Sequence, residues 1–145
     1  MYRMKVVLDT SILFQAMYSS KGASHELLRQ IRRGELQMPL SIPVFNEYCD
    51  VLLRKDSLDQ FRLTKTEVQK VLDFIVLVGI KTDIRFLLRP NLRDENDNIF
   101  LELAFASNTS FFITKNVRDF LHKPDLIFRE IQIRTPADFL QERRN

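Results

Sequence analysis

The chain has 145 residues, of which 45% are hydrophobic and 28% are charged, a composition typical of a globular protein and not of a disordered one. Its single cysteine, Cys49, excludes an internal disulfide framework and a cysteine-rich zinc site, while a net charge of +3 permits a polyanionic partner without requiring one. We predict one domain over residues 1–145. No leader opens the chain and no stretch approaches the roughly 20 apolar residues of a membrane span, so we expect a cytoplasmic protein.

The first part of the chain predicts two strands and three helices from its apolar runs, helical spacings and helix-ending glycines. In chain order these are a strand at 4–8, a helix at 22–33 that ends before Gly34, a strand at 36–42, a helix at 43–53 that opens with proline, and a helix that runs from the capping box of Thr64 and Glu67 to Gly79.

The remaining part predicts three more strands and two more helices. They are a strand at 80–84, a helix at 97–107, strands at 111–114 and 130–133, and a final helix opened by Thr135 and Pro136. Strands that alternate with helices predict an α/β fold with a mostly parallel sheet. The apolar runs are continuous, which is typical of strands covered on both faces.

Acidic residues stand near the predicted strand ends, where open α/β sheets bind their ligands. Carboxylates gathered in one cleft repel each other unless a hard divalent cation holds them, so the pattern indicates a metal site. Taken singly, each acid also has a structural alternative, which is a helix cap or, for one of them, a solvated helix face. The acids are Asp9, Glu47 (the one on a helix face), Asp94, Asp97 and Asp119.

Four short motifs in the same order resemble those of PIN domains, and in particular those of the VapC-like branch of bacterial toxins. They are Val-Leu-Asp-Thr-Ser at 7–11, Asn-Glu-Tyr at 46–48, Arg-Asp-Glu-Asn-Asp-Asn at 93–98 and Ile-Thr-Lys-Asn-Val-Arg-Asp-Phe at 113–120. The resemblance implies a three-layer α/β/α domain that hydrolyses RNA with Mg²⁺ or Mn²⁺. It also implies a toxin–antitoxin system, with a cognate antitoxin protein as partner.

The resemblance further implies roles for individual residues. Asp9, Glu47 and Asp97 match the three acids expected to be catalytic and to bind the metal ion. Asp94, one turn before Asp97, is an added carboxylate that assists in this branch. Thr10 matches the small hydroxyl residue that steadies the first acid.

The fourth acidic position departs from the family pattern. Thr114 matches the threonine that precedes this position in the family. The position itself, two residues later, holds Asn116, whose side-chain amide offers a carbonyl oxygen but no charge. Asp119 is the other candidate metal ligand here, and the departure leaves open whether one ion or two are bound. Basic residues near the acids are candidates for contacts with RNA phosphates, with solvated surface charge as the alternative: Arg93, Lys115 and Arg118.

Other proteins with acids at strand ends fit the sequence less well. A phosphorelay receiver domain needs an acidic pair where Leu8-Asp9 supplies one acid, and a haloacid-dehalogenase-like phosphatase needs aspartate where Ser11 stands. The remaining alternative is a PIN scaffold that binds RNA or a protein without cutting, which Asn116 keeps open.

Two further expectations concern apolar residues. Phe14 lies close to Asp9 in sequence and is a candidate for stacking on an RNA base. We also expect a homodimer, because the segment after the helix at 43–53 carries apolar residues that look exposed: Leu58, Phe61 and Leu63.

Overall fold

The computed structural model describes residues 4–84, 95–121 and 130–144, with the backbone alone for residues 95–98 and 121. Strands and helices alternate along these ranges. In chain order they are β1 (Val6–Leu8), α1 (Thr10–Tyr18), α2 (Ala23–Arg32), β2 (Pro39–Leu40), α3 (Ile42–Leu52), α4 (Lys55–Phe61), α5 (Lys65–Val78), β3 (Ile80–Lys81), α6 (Glu95–Ala106), β4 (Phe111–Ile113), α7 (Arg118–Leu121), β5 (Gln132–Arg134) and α8 (Pro136–Arg144).

The strands form a parallel sheet with β1 at its centre. β4 pairs with β1 on one side and with β5 on the other, while β2 pairs with β3. A parallel bridge between Lys5 and Gln37 joins the two sets, so the strand order is β3-β2-β1-β4-β5. The predicted α/β fold with a mostly parallel sheet is therefore confirmed.

Helices cover the central strands on both faces. Successive side chains of a strand point to opposite faces of the sheet, and Val6, Val7 and Leu8 of β1 are all fully buried. α6 packs against β1, β4 and α3, and α1 packs against β1 and α2. The result is a three-layer α/β/α arrangement. Among the described residues, no helix combines the length and the apolar character needed to cross a membrane.

The end of α5 comes very close to β2. A Cβ atom added to Gly79, which ends α5, would lie 2.8 Å from the carbonyl oxygen of Ile75 and 3.0 Å from the side chain of Leu40. Only glycine fits this approach without a shift of its neighbours. The close approach lets β3 follow α5 directly and pair with β2.

The second strand is shorter than the sequence suggests. We predicted a strand over 36–42, but β2 contains only Pro39 and Leu40. The reason is Ser41, which caps α3 by accepting a 3.3 Å hydrogen bond from the backbone N–H of Val44. Ile42 is thus the first residue of α3 and not the last of a strand.

The apolar residues behind the dimer expectation belong to the core. Phe61 is only 7% exposed, and Leu58 and Leu63 are half-buried against the core. Phe61 also meets Phe14 edge to face, with 4.6 Å between ring centroids. The prediction that these three residues are exposed was wrong. Phe14 is half-buried, and its stacking on an RNA base stays a prediction.

Candidate active site

The carboxylate of Asp9 is held at the end of β1 by hydroxyl groups from two elements. Thr114, directly after β4, donates a 2.6 Å hydrogen bond to Oδ2 of Asp9, and Ser11 donates a second at 3.0 Å. The backbone N–H of Asp9 donates to the carbonyl of Ile113 at 2.9 Å. Asp9 occupies the N-cap position of α1, but its side chain makes no capping hydrogen bond. The helix-cap alternative therefore does not account for this carboxylate.

Glu47 is carried by a helix that is fastened to the end of β1. Its neighbour Tyr48 is fully buried and donates a 2.6 Å hydrogen bond to the carbonyl oxygen of Leu8. This bond places α3 beside the residue that precedes Asp9. Glu47 itself is half-buried, which separates it from the fully solvated surface acid of the alternative reading.

The negative charge of Asp9 affects the pKa of Tyr48. Burial raises the pKa of the Tyr48 phenol well above its ordinary value, and the nearby negative charge of Asp9 raises it further. A tyrosine on α3 thus responds electrostatically to the carboxylate at the end of β1. The Tyr48 hydroxyl and the Asp9 carboxylate thus lie at the same end of β1.

The backbone of Asp97, the third predicted acid, is described at the start of α6. Asp97 falls in the first turn of α6, whose other end leads through a short turn into β4. Because β4 runs parallel to β1, the start of α6 lies toward the carboxyl ends of both strands. The side chain of Asp97 lies outside the described residues, as do Asp94 and Arg93 entirely.

The fourth position follows β4 and is exposed. The backbone N–H of Asn116 donates to the Thr114 hydroxyl at 3.1 Å, so Asn116 is one hydrogen bond removed from the group that holds Asp9. Asp119 follows in α7, and its N–H donates to the carbonyl of Asn116 at 3.0 Å. The side chains of Asn116 and Asp119 are exposed, as are those of Lys115 and Arg118.

Sequence reasoning missed two residues that shape the site. The resemblance assigned the steadying hydroxyl to Thr10, yet within the described part of the chain the buried Thr10 hydroxyl has no hydrogen-bond partner. Ser11 makes the contact with Asp9 instead. No role was predicted for Tyr48, which was named only as part of the Asn-Glu-Tyr motif. Its position beside a candidate ligand and its buried phenolic group are the signals that point to a positioning role.

The described oxygen donors suit a hard divalent cation. Both hydroxyl bonds to Asp9 end on Oδ2, so neither engages Oδ1, and carboxylate oxygens are ligands that hard divalent cations prefer. Among the residues whose side chains are described, no group of three His, Cys, Asp or Glu side chains is close enough to hold a metal ion. Convergence of Asp9, Glu47 and Asp97 thus stays a prediction.

Comparison with known proteins identifies the family of this chain. The family model described as PIN domain matches residues 5–118. A chain in the crystal structure of VapBC2 from Rickettsia felis bound to a DNA fragment from their promoter is similar to this chain, with a TM-score of 0.58, 18% sequence identity, and coverage of 90% of this chain and 97% of that chain. Comparison with curated proteins gives no match. The family match spans well over half of the sequence, and the chain therefore belongs to the PIN domain family.

Proposed function

We propose that this chain is a metal-dependent endoribonuclease, the toxin component of a toxin–antitoxin system, and that Asp9, Glu47 and Asp97 hold a Mg²⁺ or Mn²⁺ ion at its active site. The observation that carries the proposal is the orientation of the Asp9 carboxylate at the centre of the sheet edge, with Thr114 and Ser11 both on Oδ2. Hydrogen bonds that orient a ligating carboxylate are typical of metal sites in proteins. Membership of the PIN domain family supports the same reading.

Each residue has a defined task in this proposal. Thr114 and Ser11 fix the carboxylate of Asp9 so that Oδ1 faces the ion, and the hydrogen bond of Tyr48 holds α3 in place. The bound ion supplies a water of lowered pKa and neutralises charge on the phosphate. Lys115 and Arg118, both exposed after β4, are placed to contact RNA phosphates, and Asp94, Asp119, Arg93 and Asn116 are further candidates around the site.

The proposed partners follow from the toxin assignment. The similar solved structure is of a VapBC2 complex, and we propose a cognate antitoxin for this chain too, in the cytoplasm where its RNA substrate would be. We also propose a homodimer. Its basis is now a set of exposed apolar side chains that does not include Leu58, Phe61 or Leu63. Tyr18 of α1 is 60% exposed and Leu77 of α5 is 82% exposed. Light scattering across a wide protein concentration range tests it, and a constant monomer would contradict it.

The function is tested by RNA cleavage with purified protein. We expect single-stranded RNA to be cut with Mg²⁺ or Mn²⁺ and to remain intact when a chelator removes the ion. Asp9→Asn should lose the activity because it removes a charge that the cation requires. Asp50→Asn is the matched control, since Asp50 is an exposed residue of α3 paired with Arg54 at 2.6 Å. Cleavage by Asp9→Asn at the rate of the wild-type protein would contradict the proposal.

A second function is favoured by one observation. Asn116 brings an uncharged amide to a position where a fourth carboxylate would strengthen metal binding, so a PIN scaffold that binds RNA or a protein without cutting is the alternative. Metal-dependent cleavage separates the two functions. RNA binding without cleavage in either metal would favour the scaffold.

A further inference from the structure

A cavity of about 430 Å³ opens at the carboxyl ends of β2 and β3, and no part of the proposed catalytic mechanism uses it. Its walls include Phe45 and Asn46 near the start of α3, Lys81 at the end of β3, and Asp83 just after it. Its volume lies in the range of about 300 to 1,000 Å³ that is usual for small-ligand sites. Asn46 directly precedes Glu47, so the cavity and the acidic site share one stretch of helix.

Two contacts place this cavity at the same end of the strands as Asp9. The parallel bridge of Lys5 with Gln37 sets β1 beside the segment that leads into β2. Counted from that bridge, Asp9 and Ser41, which lines the cavity, both stand four residues further along the chain. The hydrogen bond of Tyr48 to the carbonyl of Leu8 also ties α3, whose first turns line the cavity, to the residue before Asp9.

The apolar wall is suited to the face of an aromatic ring. Phe45 lines the cavity and is half-buried, and among the described residues it has no aromatic partner. Phe14, by contrast, is paired with Phe61. Ile42, 77% exposed, adds apolar surface to the cavity wall. Bases of single-stranded RNA are bound by stacking on such side chains.

The polar groups of the cavity are available to a ligand. Within the described part of the chain, no hydrogen bond or ion pair engages the exposed side chains of Asn46, Lys81 and Asp83. An amide offers both a donor and an acceptor to a base edge, and a carboxylate accepts from base N–H groups. The lysine supplies a cation for the adjacent phosphate. An apolar wall, base-edge partners and one cation are together the chemistry that a nucleotide requires.

We propose that this cavity is a nucleobase subsite, which takes one unpaired base of the RNA beside the bond to be cut. Phe45 stacks on the base, Asn46 and Asp83 contact its edge, and Lys81 contacts the phosphate. Because Asp83 is an acceptor, the subsite favours bases that present N–H donors, of which guanine presents two next to each other on its pairing edge. This inference rests on the proposed RNA substrate, and it names the residues that select the base.

The test measures binding without cleavage, so that the subsite and the nuclease activity are judged separately. In an Asp9→Asn background, fluorescence anisotropy compares two short probes of equal length, a single-stranded RNA and a ribose–phosphate strand without bases. We expect Phe45→Ala to weaken binding of the RNA by about tenfold, from the loss of base stacking, and to leave binding of the base-free strand unchanged. Phe45→Tyr, which keeps the ring, should retain RNA binding. Phe74→Ala is the matched control, because Phe74 is a half-buried phenylalanine that lines a separate groove between α2 and α5.

Two exposed residues provide tests that do not disturb the core. Lys81→Ala should weaken both probes equally and reduce the salt dependence by about one phosphate contact. Asp83→Asn should remove the preference for guanine in a set of RNAs that differ at one base. Unchanged RNA binding in Phe45→Ala together with an unchanged base preference in Asp83→Asn would overturn the subsite and leave the cavity to a protein partner. Binding that follows our expectation in a protein that never cuts RNA would retain the subsite and reject the nuclease.

Discussion

The hydroxyl of Thr114 donates a 2.6 Å hydrogen bond to Oδ2 of Asp9, although the two residues are 105 positions apart in the sequence. The contact is possible because β1 and β4 pair in parallel with Leu8 opposite Ile113, so the residues that follow them emerge side by side. Thr114 is fully buried and Asp9 is partly exposed. The buried hydroxyl therefore fixes one oxygen of a carboxylate, and neither hydroxyl bond engages the other oxygen, Oδ1.

Removal of this hydroxyl should weaken metal binding without unfolding the protein. Thr114→Val keeps the shape of the side chain but takes the donor from Asp9, and groups that orient a metal ligand typically contribute 10- to 100-fold to metal affinity or activity. We expect a loss of Mn²⁺ affinity in that range by isothermal titration calorimetry. Thr114→Ser restores the donor and should recover most of the affinity. Equal affinities in wild type and Thr114→Val would show that the hydrogen bond serves stability alone.

Asp97 should be as sensitive as Asp9 to loss of its charge. Asp97→Asn keeps the size of the side chain but removes a negative charge from the proposed metal ligand, so cleavage of RNA should fall by roughly a hundredfold or more while the thermal unfolding midpoint changes little. Cleavage is measured across a manganese titration, with Asp50→Asn as the control. Activity of Asp97→Asn at the wild-type level would remove Asp97 from the site.

The fourth position distinguishes Asn116 from Asp119. The N–H of Asn116 donates a hydrogen bond to the Thr114 hydroxyl. Asp119 lies three residues further along the chain, in α7. We expect Asn116→Asp to tighten Mn²⁺ binding several-fold, since carboxylates bind hard cations better than amides do, and Asn116→Ala to weaken cleavage only modestly. Asp119→Asn should change neither quantity much. If instead Asp119→Asn is as damaging as Asp97→Asn and Asn116→Asp has no effect, Asp119 takes the fourth role.

Tyr48 should make the stability of the protein depend on alkaline pH. Burial and the charge of Asp9 raise the pKa of Tyr48 above its ordinary value of 10.0. Above about pH 10 the unfolded chain therefore loses a proton that the folded chain keeps, and the free energy of unfolding falls by up to about 1.4 kcal/mol per pH unit from this group. Below that pH, the contribution is fully present.

The check on this prediction is Tyr48→Phe, which keeps the ring and removes the phenol. At neutral pH, we expect a loss of about 1 to 2 kcal/mol in the free energy of unfolding, because the carbonyl of Leu8 loses its donor. Between pH 9 and pH 11 the variant should lose less stability than wild type, by urea denaturation. Tyr18→Phe is the control, since Tyr18 is 60% exposed and should keep the wild-type pH dependence. A pH dependence in Tyr48→Phe equal to that of wild type would contradict the assignment.

The sequence determined the elements whose signals are local. The capping box is formed as predicted, with Thr64 accepting from the N–H of Glu67 at 3.1 Å and Glu67 accepting from the N–H of Thr64 at 3.0 Å. The apolar run of β1 and the position of Asp9 directly after it were likewise readable, because burial on both faces of a parallel sheet requires a continuous apolar strand. The parallel orientation of the strands followed from the alternation of strands with helices.

What only the tertiary structure decided depends on contacts between distant segments. Which hydroxyl meets Asp9 is set by the direction in which the chain turns into α1, and this selects Ser11 over Thr10. The tertiary structure also pairs Phe14 with Phe61 and puts Phe45 in the wall of the cavity beside β2 and β3. The spacing of residues along the chain fixes the face of a helix or strand on which each side chain lies. Which other side chain it contacts depends on how the helices pack across the sheet. That packing is a property of the whole fold.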